Sequence, residues 1–260
     1  ANIYVFVKRK TYEQLNLNNI NATVNLKSLF SKDGHFSINN GGGPGFEVPK
    51  GSGIHSIYAG NMWIAGKNMG NIHKSGSTFT PPNTISTLTK SLARSGPIMN
   101  SSEYKHYYDY DWDRVWKVNH SDILYHINNW NNSGYYPPEV FIDWPAHGDI
   151  SKGQAENLAP FIDSDGDGIY SPFNGDYPKI KGQQAIYFIY NDVRLQTPQP
   201  LQSETHGMLY AFECPFDSTI NNTVFLDYTV YNRSNSTYNN SYIGFWADLD
   251  LGNQDDDYVE

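Results

Sequence analysis

The chain has 260 residues and a formal net charge of −9 at pH 7, with only 17% of residues charged and 15% aromatic. That acidity argues against nonspecific nucleic-acid binding, which depends on Lys and Arg neutralising phosphates, and it favours cation binding. No apolar run approaches the roughly 18 residues that span a bilayer as a helix, and the scarcity of Lys and Glu beside abundant Asn and Ser disfavours long amphipathic helices.

The first stretch, "ANIYVFVKRK", is too short for an intact signal peptide and has its charges on the wrong side. Ala1 suits the first residue left after signal-peptidase cleavage, which gives an expectation of export. Residues 1–80 read as short strands between Gly/Asn turns. "NATVNLKSLF" and "GIHSIYAGNMWIAG" carry β-branched and aromatic residues in partial alternation. Between them, "NNGGGPGFEVPKGSG" cannot be helix and lacks the Gly-Lys-Ser/Thr ending of a phosphate loop. Residues 75–110 are rich in Ser, Thr, Pro and Asn and read as a long loop. The helical signal falls over 111–131. Ser121 is a candidate N-cap for "DILYHINNW", with Ile123, Leu124 and Ile127 on one face, and "WDRVWKV" reads as a shorter helix or turn before it. From 184 onward the pattern is β: "QAIYFIYNDV", "HGMLYAFEC", "NTVFLDYTVYNRS" and "YIGFWADLDLG". In the third of these, Val224, Leu226, Tyr228 and Val230 share one face, and Phe225, Asp227, Thr229 and Tyr231 the other, as in an antiparallel sheet. The expected fold is mainly β, an antiparallel sandwich-like domain with long loops and one or two short helices near 112–131. It is one β-rich extracellular domain over 1–260, divisible into 1–110 and 111–260.

The segment "DSDGDGIYSPFNGDYP" carries the most specific chemistry. Asp163, Ser164, Asp165, Gly166, Asp167 and Gly168 match the start of the D-x-D-x-D-G calcium pattern. Hard Ca²⁺ takes six to eight oxygens at about 2.3–2.6 Å, so alternate carboxylates can wrap one side of the ion. The Ile169 carbonyl stands in the seventh place and Ser171 in the ninth, where a ligand binds through water. The twelfth place holds Asn174 rather than Glu, and Asp176 is the candidate for the missing carboxylate. Pro160 and Pro172 exclude long flanking helices, so the loop is similar to the calcium turns of dockerin and thrombospondin type 3 repeats. A solvated acidic turn is the competing reading. Three carboxylates this close repel one another unless a cation lies between them, and this favours the cage. A second, weaker cluster is Asp248, Asp250, Asp255, Asp256 and Asp257, equally readable as a charged strand end and loop.

Other candidates are less specific. His147 and His206 each sit beside a glycine and near a carboxylate, Asp149 and Glu204, from which a metal site can be assembled. A lone His beside Gly is more often a structural hydrogen-bonder. No Gly-x-Ser-x-Gly elbow or His-Glu-x-x-His helix occurs. A glycosidase needs two carboxylates across a cleft, for which Asp143, Asp149 and Glu204 are candidates. Exposed aromatics can stack on sugars or belong to the core. The sequons at Asn21, Asn100, Asn119, Asn131, Asn221, Asn232, Asn235 and Asn239 are expected by chance in so Asn- and Ser-rich a chain. The single cysteine, Cys214, is either a small buried hydrophobe or half of a disulfide whose partner lies beyond Glu260.

Several stretches, taken together and in order, carry a family resemblance: "GPGFEVPKGSGIHSIYAGNMWIAG", "VWKVNHSDILYHI", "YYPPEVFIDWPAHGD", "APFIDSDGDGIYSPFNGDYPKIKGQQAIYFIYND", "ETHGMLYAFEC" and "NNTVFLDYTVYNRSNSTYNNSYIGFWADLDLGNQDDDY". They resemble the N-terminal region of large secreted or cell-surface proteins of Bacteroidetes exported by the type IX secretion system. The resemblance implies an extracellular location, a longer precursor with a sorting domain, and a downstream cysteine as a natural partner for Cys214. The expected function is non-enzymatic: a calcium-stabilised surface or filament-forming structural or adhesion protein. Its partners would be copies of itself, other surface proteins or glycans, with no nucleic acid and no transmembrane segment. The alternative is a secreted carbohydrate-active enzyme or carbohydrate-binding module.

Overall fold

The computed structural model describes residues 12–17, 20–25, 35–36, 44–76, 94–104, 112–193 and 200–249. Among them the strands build two antiparallel sheets and one small hairpin. The first sheet runs β1 (Tyr12–Leu15), β2 (Asn21–Asn25), β3 (His35–Phe36), β5 (His55–Asn68) and β14 (Asn239–Leu249). Short β4 (Phe46–Glu47) and β6 (Asn71–Ser75) pair along β5. The second runs β13 (Val224–Asn232), β12 (Ser203–Ala211), β11 (Gln184–Asn191) and β7 (Arg94–Ser95), with β8 (Trp116–Asn119) also on β11. The hairpin joins β9 (Phe161–Ile162) to β10 (Tyr177–Pro178).

Why the sheets stack follows from β11. Its side chains alternate between two faces, and every residue is buried, so each face must be covered. Ile186, Phe188 and Tyr190 point to one side, where Leu209 joins them and Leu15, Ile20, Ala22 and Phe46 of the first-sheet region close the core. Ala185, Tyr187 and Ile189 point to the other. There Trp116, Val118, Ile123, Phe141, Trp144 and Leu158 pack on them as an outer layer. The molecule is therefore a β-sandwich with a third layer, built of short helices and loops, on the second sheet. A third cluster joins Met62 and Ile64 of β5 to Leu201, Tyr228, Val230 and Tyr238.

The outer layer holds α1 (His120–Asn129) and α2 (Glu139–Ile142). A short α3 (Ser218–Asn221) precedes β13, capped by Asp217, whose carboxylate accepts the Thr219 and Ile220 N–H groups. Helix α1 departs from expectation in its packed face. Ile123 and His126 are buried, whereas Leu124 and Ile127 are 49% and 42% exposed. The reason is the ridge chosen: Ile123 and His126, three apart, lie over Phe141 and Tyr177, which turns the next ridge outward. The helix starts one residue before Ser121, with Asn119 as N-cap making no side-chain capping bond. "WDRVWKV" is likewise no helix over its second half. Trp116 and Val118 are buried two apart, and the segment is strand β8. No helix among the described residues is long and apolar enough to cross a membrane.

Candidate metal centre

The acidic segment is the connection between β9 and β10. Ile162 pairs with Tyr177 and Phe161 with Pro178, so the hairpin closes the base of the loop. Inside, Asp163 ties the first turn. One carboxylate oxygen accepts the Gly166 N–H at 2.8 Å and the other the Gly168 N–H at 2.9 Å. Both glycines have positive φ, +77° and +79°, which a side chain would strain. Asp167 accepts the Ile169 N–H at 2.7 Å, and Asp165 the Asp167 N–H at 3.3 Å. Asp176 ties the return. It is completely buried, and its two oxygens accept the Ser164 and Ser171 N–H groups at 2.7 and 2.8 Å.

These turns fold the loop back on itself. Oxygens of Asp163, Asp165 and Asp176 lie within 4.8 Å of one another, and nowhere else among the described residues do three or more His, Cys, Asp or Glu groups converge in this way. Each carboxylate oxygen that accepts one N–H keeps lone-pair capacity for a second partner. The Asp163 carboxyl lies below the usual range, chiefly through the Gly168 N–H, with the Gly166 N–H adding to it against a small burial effect. It is therefore a ready anion at neutral pH, and the set offers hard oxygen donors of the kind Ca²⁺ prefers.

Of the expected ligands, Asp163, Asp165 and Asp176 are brought together. Asp167 stays outside that set and serves the turn at Ile169. The Ser171 carbonyl is engaged by the N–H groups of Asn174 and Asp176. Asn174, in the twelfth place, donates from its amide to Asp165 at 3.4 Å. In the second cluster Asp248 lies opposite Ala59 in β14, while Asp250, Asp255, Asp256 and Asp257 lie outside the described residues.

The loop is braced from behind. The Trp130 ring lies so close to Gly175 that a Cβ there would come within 2.9 Å of it, and Gly175 has φ +100°. His126 hydrogen-bonds the Tyr135 hydroxyl at 2.9 Å. Burial lowers its pKa, with the backbone carbonyls of Gly175 and Asp176 pulling the other way. His147 accepts the Tyr170 N–H on Nε2 at 3.0 Å, and its Nδ1 faces the Glu156 carbonyl at 3.3 Å. It is a neutral strut rather than a ligand.

The other candidates go to separate places. Asp143 pairs with Arg114 at 3.3 Å, and Asp149 with Lys152 at 3.1 Å while it caps the turn at Ser151. Glu204 and His206 do meet, at 3.0 Å, but inside the second sheet. Glu204, completely buried, also accepts Arg233 at 2.6 Å and the Ile98 N–H at 2.7 Å. His206 reaches the Tyr187 hydroxyl at 2.8 Å on its other nitrogen. A joint His147–His206 metal site is not formed among the described residues. Sequence reasoning missed Tyr187 and Arg233 as members of this network. The alternation of β11 and β13 places both on the His206 side of the sheet, but partner choice needs the strand order. Cys214 is half-buried and free. No protein-family model, no curated protein and no solved structure matches the chain.

Proposed function

We propose that this chain is a calcium-stabilised, non-enzymatic module of an extracellular surface or filament-forming protein, with a structural or adhesive role. One observation carries the reading: Asp163, Asp165 and Asp176 converge on one small volume within a loop pinned by its own backbone. Three like charges so placed gain most from a hard divalent cation between them. The non-enzymatic part is supported by the carboxylates a hydrolase would need. Asp143, Asp149 and Glu204 are each paired with their own cation, Arg114, Lys152 and Arg233. Titration calorimetry tests the metal: Ca²⁺ should bind at about 10⁻⁴–10⁻³ M, the range of extracellular modules. Asp165→Ala should abolish the heat. Absence of any calcium-specific heat in the wild type would leave the loop an acidic turn.

A second reading, carbohydrate binding, is favoured by one feature of the same surface. Tyr136 and Phe173 are 71% and 52% exposed, and their rings meet edge to face at 5.6 Å beside the loop. Exposed rings of this kind suit sugar faces. A glycan array on the wild type and on Phe173→Ala would show signal only in the former.

A further inference from the structure

The two sheets do not end together. Met62 and Ile64 of β5 pack on Tyr228 and Val230 of β13, so β5 lies over β13. Yet β13 ends the second sheet, while the first continues by one more strand, β14. Strand β14 therefore overhangs the second sheet by about one strand spacing, roughly 4.8 Å. Ile243 and Phe245 of β14 lie opposite Ile64 and Met62 and share their inward face. They are nonetheless 68% and 52% exposed, because no described strand lies beneath them. Between them and β13 runs a groove of about 480 Å³, whose apolar lining includes Ile57, Val224, Leu226 and Phe245. Beside that groove, no described strand pairs with the outer edge of β13 at Val224, Leu226 or Val230.

The lane is one strand wide, and that selects the occupant. Edge-to-edge pairing of β13 with β13 of a second copy would drive the two overhanging β14 strands into the same space. A single extended segment fits: backbone bonds to β13 on one side and alternate apolar side chains under Ile243 and Phe245. Residues 2–7 of this chain have that pattern. Ile3, Val5 and Val7 fall on one face and Tyr4 and Phe6 on the other, with no charge until Lys8.

The same chain's segment is tethered too short. It joins β1, which packs on β11 and β8 in the middle of the sandwich. From β11 to the lane beyond β13 is three strand spacings, about 14 Å, and the sheets are about 10 Å apart, roughly 17 Å in all. With residues 2–7 seated, Lys8 to Thr11 span at most about 13–14 Å. We infer that the lane is an acceptor site for residues 2–7 of a second copy, so that molecules add head to tail. Donor and acceptor are different surfaces, so the contact is heterologous and yields rings or open fibres. The inference deepens the filament-forming reading, but it does not need the metal.

Light scattering on the full chain across a concentration series tests it. The expected result is a growing average mass in the wild type, and monomers only for a chain lacking residues 1–9 and for Val5→Asp and Phe245→Asp. A labelled peptide of residues 1–11 should bind the truncated chain saturably, and should not bind truncated Phe245→Asp. Oligomers that persist after truncation place the interface elsewhere and overturn the proposal. A wild type that stays monomeric while the peptide binds the truncated chain means own-chain insertion, which overturns the second copy. Absence of peptide binding overturns the lane itself. Calcium titration of the same samples is read separately, so failure of the metal reading and of this one are distinguishable.

Discussion

Asp192 follows β11 directly, and its two oxygens accept the Leu201 and Ser203 N–H groups, both at 2.7 Å. Burial nonetheless dominates and pushes its pKa up to about 6. The fold thus favours the protonated form. That contribution is complete below the unfolded value near 4 and is lost as pH rises through about 6, a change of order 2–3 kcal/mol. Glu204, on the neighbouring strand, has the opposite sign. Burial alone would raise its pKa, but His206, Arg233 and the Ile98 N–H outweigh it and the value falls below 4.5. Its stabilisation is present above the unfolded value and disappears as pH falls through the folded one. Thermal melts from pH 3 to 7 should show Asp192→Asn with a flatter decline between pH 4 and 7 than the wild type. If the decline is unchanged, Asp192 is not its source. Glu204→Ala should cost about 3–5 kcal/mol at pH 7, because it leaves Arg233 and His206 without their buried partner. A loss below 1 kcal/mol, read by urea unfolding, would mean that water replaces the carboxylate.

Strand pairing makes a similar demand at Gly207 of β12, which faces Phe188 of β11. A Cβ there would come within 2.1 Å of the Phe188 ring, so the ring lies directly over the glycine. Gly207→Ala should therefore expel Phe188 from the sandwich core and cost at least the 1–3 kcal/mol typical of overpacking. A variant as stable as the wild type would show that the ring has another place to go. In the β9–β10 loop, Asp176→Ala should destabilise the protein even with chelator present, by about 2–4 kcal/mol, since it strands the buried Ser164 and Ser171 N–H groups. Asp165→Ala, on an exposed residue, should change apo stability little. Equal losses in chelator would deny Asp176 its bracing role. Much of this was legible in the sequence, because period-two alternation in "QAIYFIYNDV", "HGMLYAFEC" and "NTVFLDYTVYNRS" is a local signal. The D-x-D-x-D-G turn is local too. What could not be read is non-local. The burial of His126 in place of Leu124 depends on which ridge Phe141 and Tyr177 receive. The exclusion of Asp167 from the carboxylate set depends on how the chain returns through Asp176. Trp116 and Val118 read as a helical stretch until β11 offers them an edge.

At the scale of the whole molecule, the acidic loop is tied into the outer layer. Trp130 covers Gly175, His126 backs Tyr177, and Tyr170 bonds both His147 and the Phe141 carbonyl. Phe141 in turn belongs to the core on the second sheet. An ion held by Asp163, Asp165 and Asp176 would therefore stabilise the layered fold and not the loop alone. A ligand that binds only the folded state contributes RT ln(1 + [L]/Kd). With Kd near 10⁻⁴ M and 1 mM free calcium this is about 1.4 kcal/mol, and near 10⁻³ M it is about 0.4 kcal/mol. For a chain of this size the larger figure corresponds to roughly 3–5 °C in melting temperature. Calorimetric melts in calcium and in chelator should differ by that amount for the wild type and coincide for Asp165→Ala. In chelator, Asp165→Ala should match or slightly exceed the wild type, because one of three crowded charges is gone. If the wild type melts at the same temperature in both buffers, the carboxylates form a self-sufficient turn and the stability of this sandwich owes nothing to calcium.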